Sequence, residues 1–147
     1  MFVVYLGVVA AITIVPTQFT RFHGLDSNHI NLVPFRNSFR CYRYALDARS
    51  GLRSFCLTNL IGNIALFLPL GILLPLVSDR FRSFKRVLLV GFCLSLTIEV
   101  IQFVSRFFGI PRTVDIDDVI LNTLGGCLGF ALYKFLIAKV KAVGRKQ

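Results

Sequence analysis

The chain has 147 residues, 55% of them hydrophobic and 16% charged, with fifteen phenylalanines and a formal net charge of +10. At a mean hydropathy of +0.71, a soluble domain of this size would expose more apolar surface than such domains tolerate, so the composition points to a membrane-embedded chain. The length allows one domain, residues 1–147. The positive charge does not signal nucleic acid, because the 17 basic residues sit in connections and tail between apolar runs rather than among base-stacking aromatics.

In chain order, residues 1–15 form a marginal first span stopped by Pro16. A signal peptide is the alternative, but a basic lead and a convincing cleavage site are both missing, so a first membrane helix is expected. A connection of about forty residues follows, 17–56, with six arginines, His23, His29, Cys41 and Cys56. The two histidines are ordinary loop residues or remote acid–base candidates, and the two cysteines are a possible disulfide pair. Cys93 and Cys127 fall inside apolar runs and are expected to pack.

Three clear spans come next, at about 57–77, 87–104 and 119–137, each near the ~20 residues that cross ~30 Å of hydrocarbon. The chain is therefore expected to be all-α, a polytopic helix bundle of about four transmembrane helices. Loop 79–86 and the tail hold eight basic residues in about eighteen positions, against eight in over fifty on the opposite side. By that density the N-terminus, loop 79–86 and the C-terminus are placed in the cytoplasm.

Polar residues within the spans carry the functional reading. In "TNLIGNIALFLPLGILLP", Asn59 and Asn63 are four apart, Gly62 lies beside them, and Pro69 and Pro75 interrupt the apolar half. Glu99 lies about twelve residues into the next span, roughly 18 Å deep, where a carboxyl group marks a functional site or a partnered interior charge. Ser95, Glu99, Gln102 and Arg106 share its face at steps of four, three and four. The stretch "RTVDIDDVILNTLGG" then places Asp115, Asp117 and Asp118 directly ahead of the last span, with Arg112 before them and Asn122 after.

Asp115 or Asp117 is a natural helix N-cap, but capping does not account for three acids and an intramembrane Asn. Gly125 and Gly129 form a GxxxG that admits a close neighbour helix. By helical rise Asn63, Glu99 and Asn122 lie roughly 7 to 12 Å below one surface, with Arg106, Arg112 and the aspartates at that surface. We therefore expect a small outward-facing polar pocket of Asn59, Asn63, Glu99, Gln102, Arg106, Arg112, Asp115, Asp117, Asp118 and Asn122. Asp115, Asp117 and Asp118 are weak candidates for Mg²⁺ or Ca²⁺ only, since the spacing lacks an EF-hand continuation. No cofactor is expected.

The stretches "NLVPF" (31–35), "NLIGNIALFLPLGILLP" (59–75), "SLTIEVIQF" (95–103) and "RTVDIDDVILNTLGGCLG" (112–129), in this order, resemble the VanZ-like family of small bacterial membrane proteins. The resemblance covers about residues 31–135 and implies an effect on sensitivity to the glycopeptide teicoplanin at the cell envelope. The expected partners are membrane lipids and a cell-wall lipid intermediate or the glycopeptide, with no nucleic acid. A binding role is favoured over an enzymatic one. The rivals are a metal-assisted hydrolase or transferase on a lipid-linked intermediate, with Glu99 as general base, and a small lipid transporter with Glu99 as proton carrier.

Overall fold

A computed structural model describes residues 1–14, 30–46, 50–110 and 113–144. Five helices form the bundle: α1 (Phe2–Ile14), α2 (Arg36–Leu46), α3 (Ser50–Val77), α4 (Phe84–Ser105) and α5 (Ile116–Gly144). Short 3-10 turns at Asp79–Phe81 and Arg106–Phe108 flank α4. Two strands of two residues each, β1 (Ile30–Asn31) and β2 (Val114–Asp115), pair in parallel, Ile30 opposite Val114 and Asn31 opposite Asp115.

The segments Asn59–Val77, Phe84–Phe108 and Ile116–Gly144 are long and apolar enough to cross a membrane. The expected all-α membrane bundle is the observed one. α1 is shorter, about 20 Å by helical rise, and rests on α4 and α3 through the buried Val9.

The expected spans differ from the helices mainly at their ends. α5 starts at Ile116 because Asp115 caps it: the Asp115 Oδ1 accepts from the Asp117 N–H at 3.0 Å. It runs through Lys139 and Lys141 to Gly144, so most of the expected tail is helical. α3 likewise begins at Ser50, well before the apolar run.

α3 and α5 pack together most extensively, with α4 antiparallel against α5. Their shared seam is made of glycines. A Cβ on Gly71 would stand 2.6 Å from the Phe130 N, and one on Gly129 would stand 3.1 Å from the Gly71 Cα and overlap the Leu68 carbonyl. One on Gly125 would overlap the Ile64 carbonyl. Only hydrogen side chains let two backbones come this close, as the GxxxG spacing implied. Gly62 meets nothing within 4 Å and has no such role.

Along and beyond the seam, Phe67, Leu70, Leu74, Val87, Phe130 and Tyr133 fill the core. Pro69 and Pro75 sit inside α3, where each removes a helical N–H. The Tyr5 hydroxyl donates to the Leu66 carbonyl at 2.7 Å, supplying a donor beside the turn that Pro69 disrupts.

Candidate functional site

The polar residues of α3, α4 and α5 meet at one end of the bundle, where segment 30–38 folds across them. The Asp115 N–H donates to the Glu99 Oε2 at 2.9 Å, joining the start of α5 to α4. The Asp115 carboxylate accepts from the Asn31 Nδ2 at 2.9 Å and from the Asn37 Nδ2 at 2.6 Å, besides capping α5. One aspartate thus ties together both strands, α2, α4 and α5.

Asp117 acts on a different helix. Its Oδ2 accepts from the Ser38 N–H at 3.0 Å and the Ser38 hydroxyl at 2.8 Å, and its Oδ1 from the Phe35 N–H. These donors belong to the unsatisfied first turn of α2, so Asp117 caps α2 from across the chain. Phe35 sits at φ 62°, a left-handed conformation unusual for a bulky residue. Such a backbone persists only where its surroundings hold it, and the Asp117 carboxylate on its N–H does that.

Asp118 accepts from the Asn63 Nδ2, linking α5 to α3. One turn deeper, the Asn122 Nδ2 donates to the Ser95 Oγ at 2.9 Å, linking α5 to α4. These four residues, with Glu99, bridge all three long helices within about two turns of α5.

The expected geometry holds in part. Asp115 and Asp117 were expected at the rim, but both are buried beneath segment 30–38. The physical reason is the β1–β2 pairing and the capping of α2, which lay their donors directly over the acids. Gln102 turns toward α1, donating from Nε2 to the Thr13 carbonyl at 2.9 Å. Asn59 is exposed. Arg112, His23 and His29 lie outside the described residues, as do the side chains of Cys41 and Cys56. Cys93 and Cys127 are free thiols.

Among the described residues, two buried polar atoms at this end have no partner: the Asn122 Oδ1, an acceptor at depth, and the Arg106 Nη1, a cationic donor nearer the surface. Buried polar groups are normally bonded, so each of these atoms is left with unused hydrogen-bonding capacity within the described structure. The carboxylates, in contrast, are met by amide and hydroxyl donors. Among the described residues no three His, Cys, Asp or Glu side chains group so as to hold a metal ion. Sequence reasoning missed Asn37 and Ser38, whose signal was the polar pair one residue beyond the "NLVPF" turn.

A cleft of about 250 Å³ opens at the opposite end of the bundle, lined by Arg82, Tyr133, Lys134, Ile137 and Lys141. The polar residues considered above take no part in it.

Comparison with known proteins fits this arrangement. The chain is 44% identical over 75 residues to "Protein VanZ" of Enterococcus faecium, a match covering 51% of this chain and 44% of that protein. The chain thus matches under half the length of this curated relative. No solved structure matches. The family model VanZ/LLP1 matches residues 2–138, taking in α1, segment 30–38 and every helix that builds the polar end. The chain belongs to the VanZ/LLP1 family.

Proposed function

We propose that the polar end faces outward and engages a cell-envelope component, and that the protein thereby changes sensitivity to glycopeptides such as teicoplanin. The component is the headgroup of a lipid-linked cell-wall intermediate or the glycopeptide itself. Family membership links the chain to glycopeptide resistance through the VanZ name. The observation that carries the binding reading is the pair of unpartnered atoms, the Asn122 Oδ1 and the Arg106 Nη1. They lie on either side of Glu99 along the α4 face, one asking for a donor and the other for an anion. A headgroup with hydroxyl or amine groups and a phosphate or carboxylate offers both.

The orientation follows from charge. The connection around Asp79–Phe81 and the end of α5 hold the dense arginines and lysines, so that end is cytoplasmic and the polar end is external. Glu99, buried between α4 and the start of α5, serves as the acceptor that orients the bound group.

The test is antibiotic sensitivity in a strain complemented by this chain. Glu99→Gln, Arg106→Gln and Asn122→Leu are each expected to remove the change in teicoplanin sensitivity while the protein still accumulates in the membrane. If all three accumulate normally and leave sensitivity as in the wild type, the reading is wrong.

A further inference from the structure

α2 has two different faces. Asn37 and Ser38 turn inward to the aspartates. Phe39, Tyr42 and Leu46, three and four residues apart, form one stripe along the helix. They are 67%, 64% and 69% exposed, so the described chain leaves them uncovered. Arg36 and Arg43 are exposed along the edge of that stripe, and α2 contains no acid.

The location restricts what can cover such a face. α2 is fixed by Asp117 to the first turn of α5, where a membrane-crossing segment begins. Phe107 and Phe108, at the far end of the α4 segment, are also strongly exposed at this end of the bundle. Tyrosine, like Tyr42 in the stripe, favours the level of the headgroups, and Phe and Leu are the residues that an interfacial helix buries at that boundary. A stripe of aromatic and aliphatic groups edged by arginines matches both halves of that layer, acyl carbon below and phosphate above.

We propose that α2 is an interfacial helix that binds the anionic phospholipid surface, with Phe39, Tyr42 and Leu46 at the headgroup–acyl boundary and Arg36 and Arg43 on lipid phosphates. Charge complementarity decides for anionic lipid: a basic helix next to a bilayer gains from each phosphate it meets, and Arg reads phosphate with paired donors. The inference is independent of the glycopeptide reading, because it rests on the outward face of α2 alone.

The chain has no tryptophan, so Phe39→Trp introduces a single fluorophore into the stripe. The full chain is reconstituted in nanodiscs of phosphatidylcholine, alone or mixed with phosphatidylglycerol. The indole is expected to be quenched by lipids brominated near the headgroup end of the acyl chain, more strongly in the anionic discs. Adding Arg36→Gln and Arg43→Gln should lower that quenching by about two-fold or more and remove the difference between the two lipids. Leu124→Trp, on an exposed part of α5, reports insertion of the bundle and should be quenched within the acyl region in both discs.

With Leu124→Trp so quenched, an indole at Phe39→Trp that responds only to aqueous acrylamide overturns the proposal. So does a blue-shifted emission that disappears as the chain is diluted in lipid, since a second copy would then be covering the stripe.

Discussion

The glycine seam and the polar end hold the bundle around α5 together by opposite means. Along the seam, α3 and α5 have almost nothing to exchange but contact: Gly71, Gly125 and Gly129 bring backbone against backbone. At the polar end the contact is spaced by side chains, and cohesion comes from bonds such as Asp115 to Glu99 and Asn122 to Ser95. Lipid tails are as apolar as leucine, so apolar side chains alone give little reason for helices to associate there. Close approach and hydrogen bonding are the two remaining means, and this chain uses them in adjoining regions, meeting where Gly125 lies against Ile64 beside Asn63. The seam tolerates no added volume, whereas the polar end tolerates no lost partner.

The largest effect is therefore expected at the seam. Gly129→Leu drives a side chain into the Leu68 carbonyl, where backbone and not a flexible side chain would have to move. Overpacking costs about 1–3 kcal/mol even in cores that can adjust, and more here because α3 must shift as a whole. Thermal unfolding in detergent, followed by circular dichroism or loss of monodispersity, should show a large drop. Gly62→Ala is the internal contrast, since its Cβ meets nothing. It should leave the midpoint unchanged or raise it slightly, by the helix preference for alanine of up to about 1 kcal/mol. Equal damage from both substitutions would remove the distinction between the two regions.

At the polar end a subtraction should act more locally. Asp117→Asn keeps the size but turns an amide N–H toward donors that now converge on one carboxylate, the Phe35 N–H and the N–H and hydroxyl of Ser38. A buried donor left without an acceptor costs about 1–3 kcal/mol. Hydrogen–deuterium exchange should speed up across residues 35–46 while α4 and α5 stay protected. Ser38→Ala, which leaves both backbone donors in place, should do the same to a smaller degree. Uniform deprotection of the whole bundle would mean that the cap supports the fold generally and not α2 in particular.

The two regions were not equally legible in the sequence. The seam was readable because GxxxG has one common physical use in a membrane helix, and the spacing of Gly125 and Gly129 shows it directly. The spans and the shared depth of Asn63, Glu99 and Asn122 follow from hydropathy and helical rise alone. What escaped was the partner of each acid. Asp115 bonds to Asn31, 84 residues away, and Asp117 to Ser38, 79 residues away. No local periodicity encodes a contact across such separations. The acids could be recognised as too many for one helix cap, and that excess has a specific source: Asp117 caps a second helix. α2 itself was hidden because its eleven residues lie inside a long basic connection and their apolar stripe is only one face wide.

Gln102 gives the smallest expected effect and the finest test of the comparison. It belongs to the polar stripe of α4 by spacing, yet it bonds to the Thr13 carbonyl of α1 at 2.9 Å and not to any aspartate. That carbonyl lies in the last turn of α1, where helix carbonyls need partners from outside the helix, and the Gln102 amide is one supplied by a neighbour. Gln102→Leu removes the donor without adding much bulk. Interhelical bonds in membranes average about 0.6 kcal/mol, so the bundle should unfold at almost its normal temperature. The loss should appear in α1 alone, as faster amide exchange over residues 2–14 with α2 still protected. If α2 loosened as well, Gln102 would belong to the same cooperative cluster as Asp115 and Asp117, and the polar end would be one network and not two neighbouring ones.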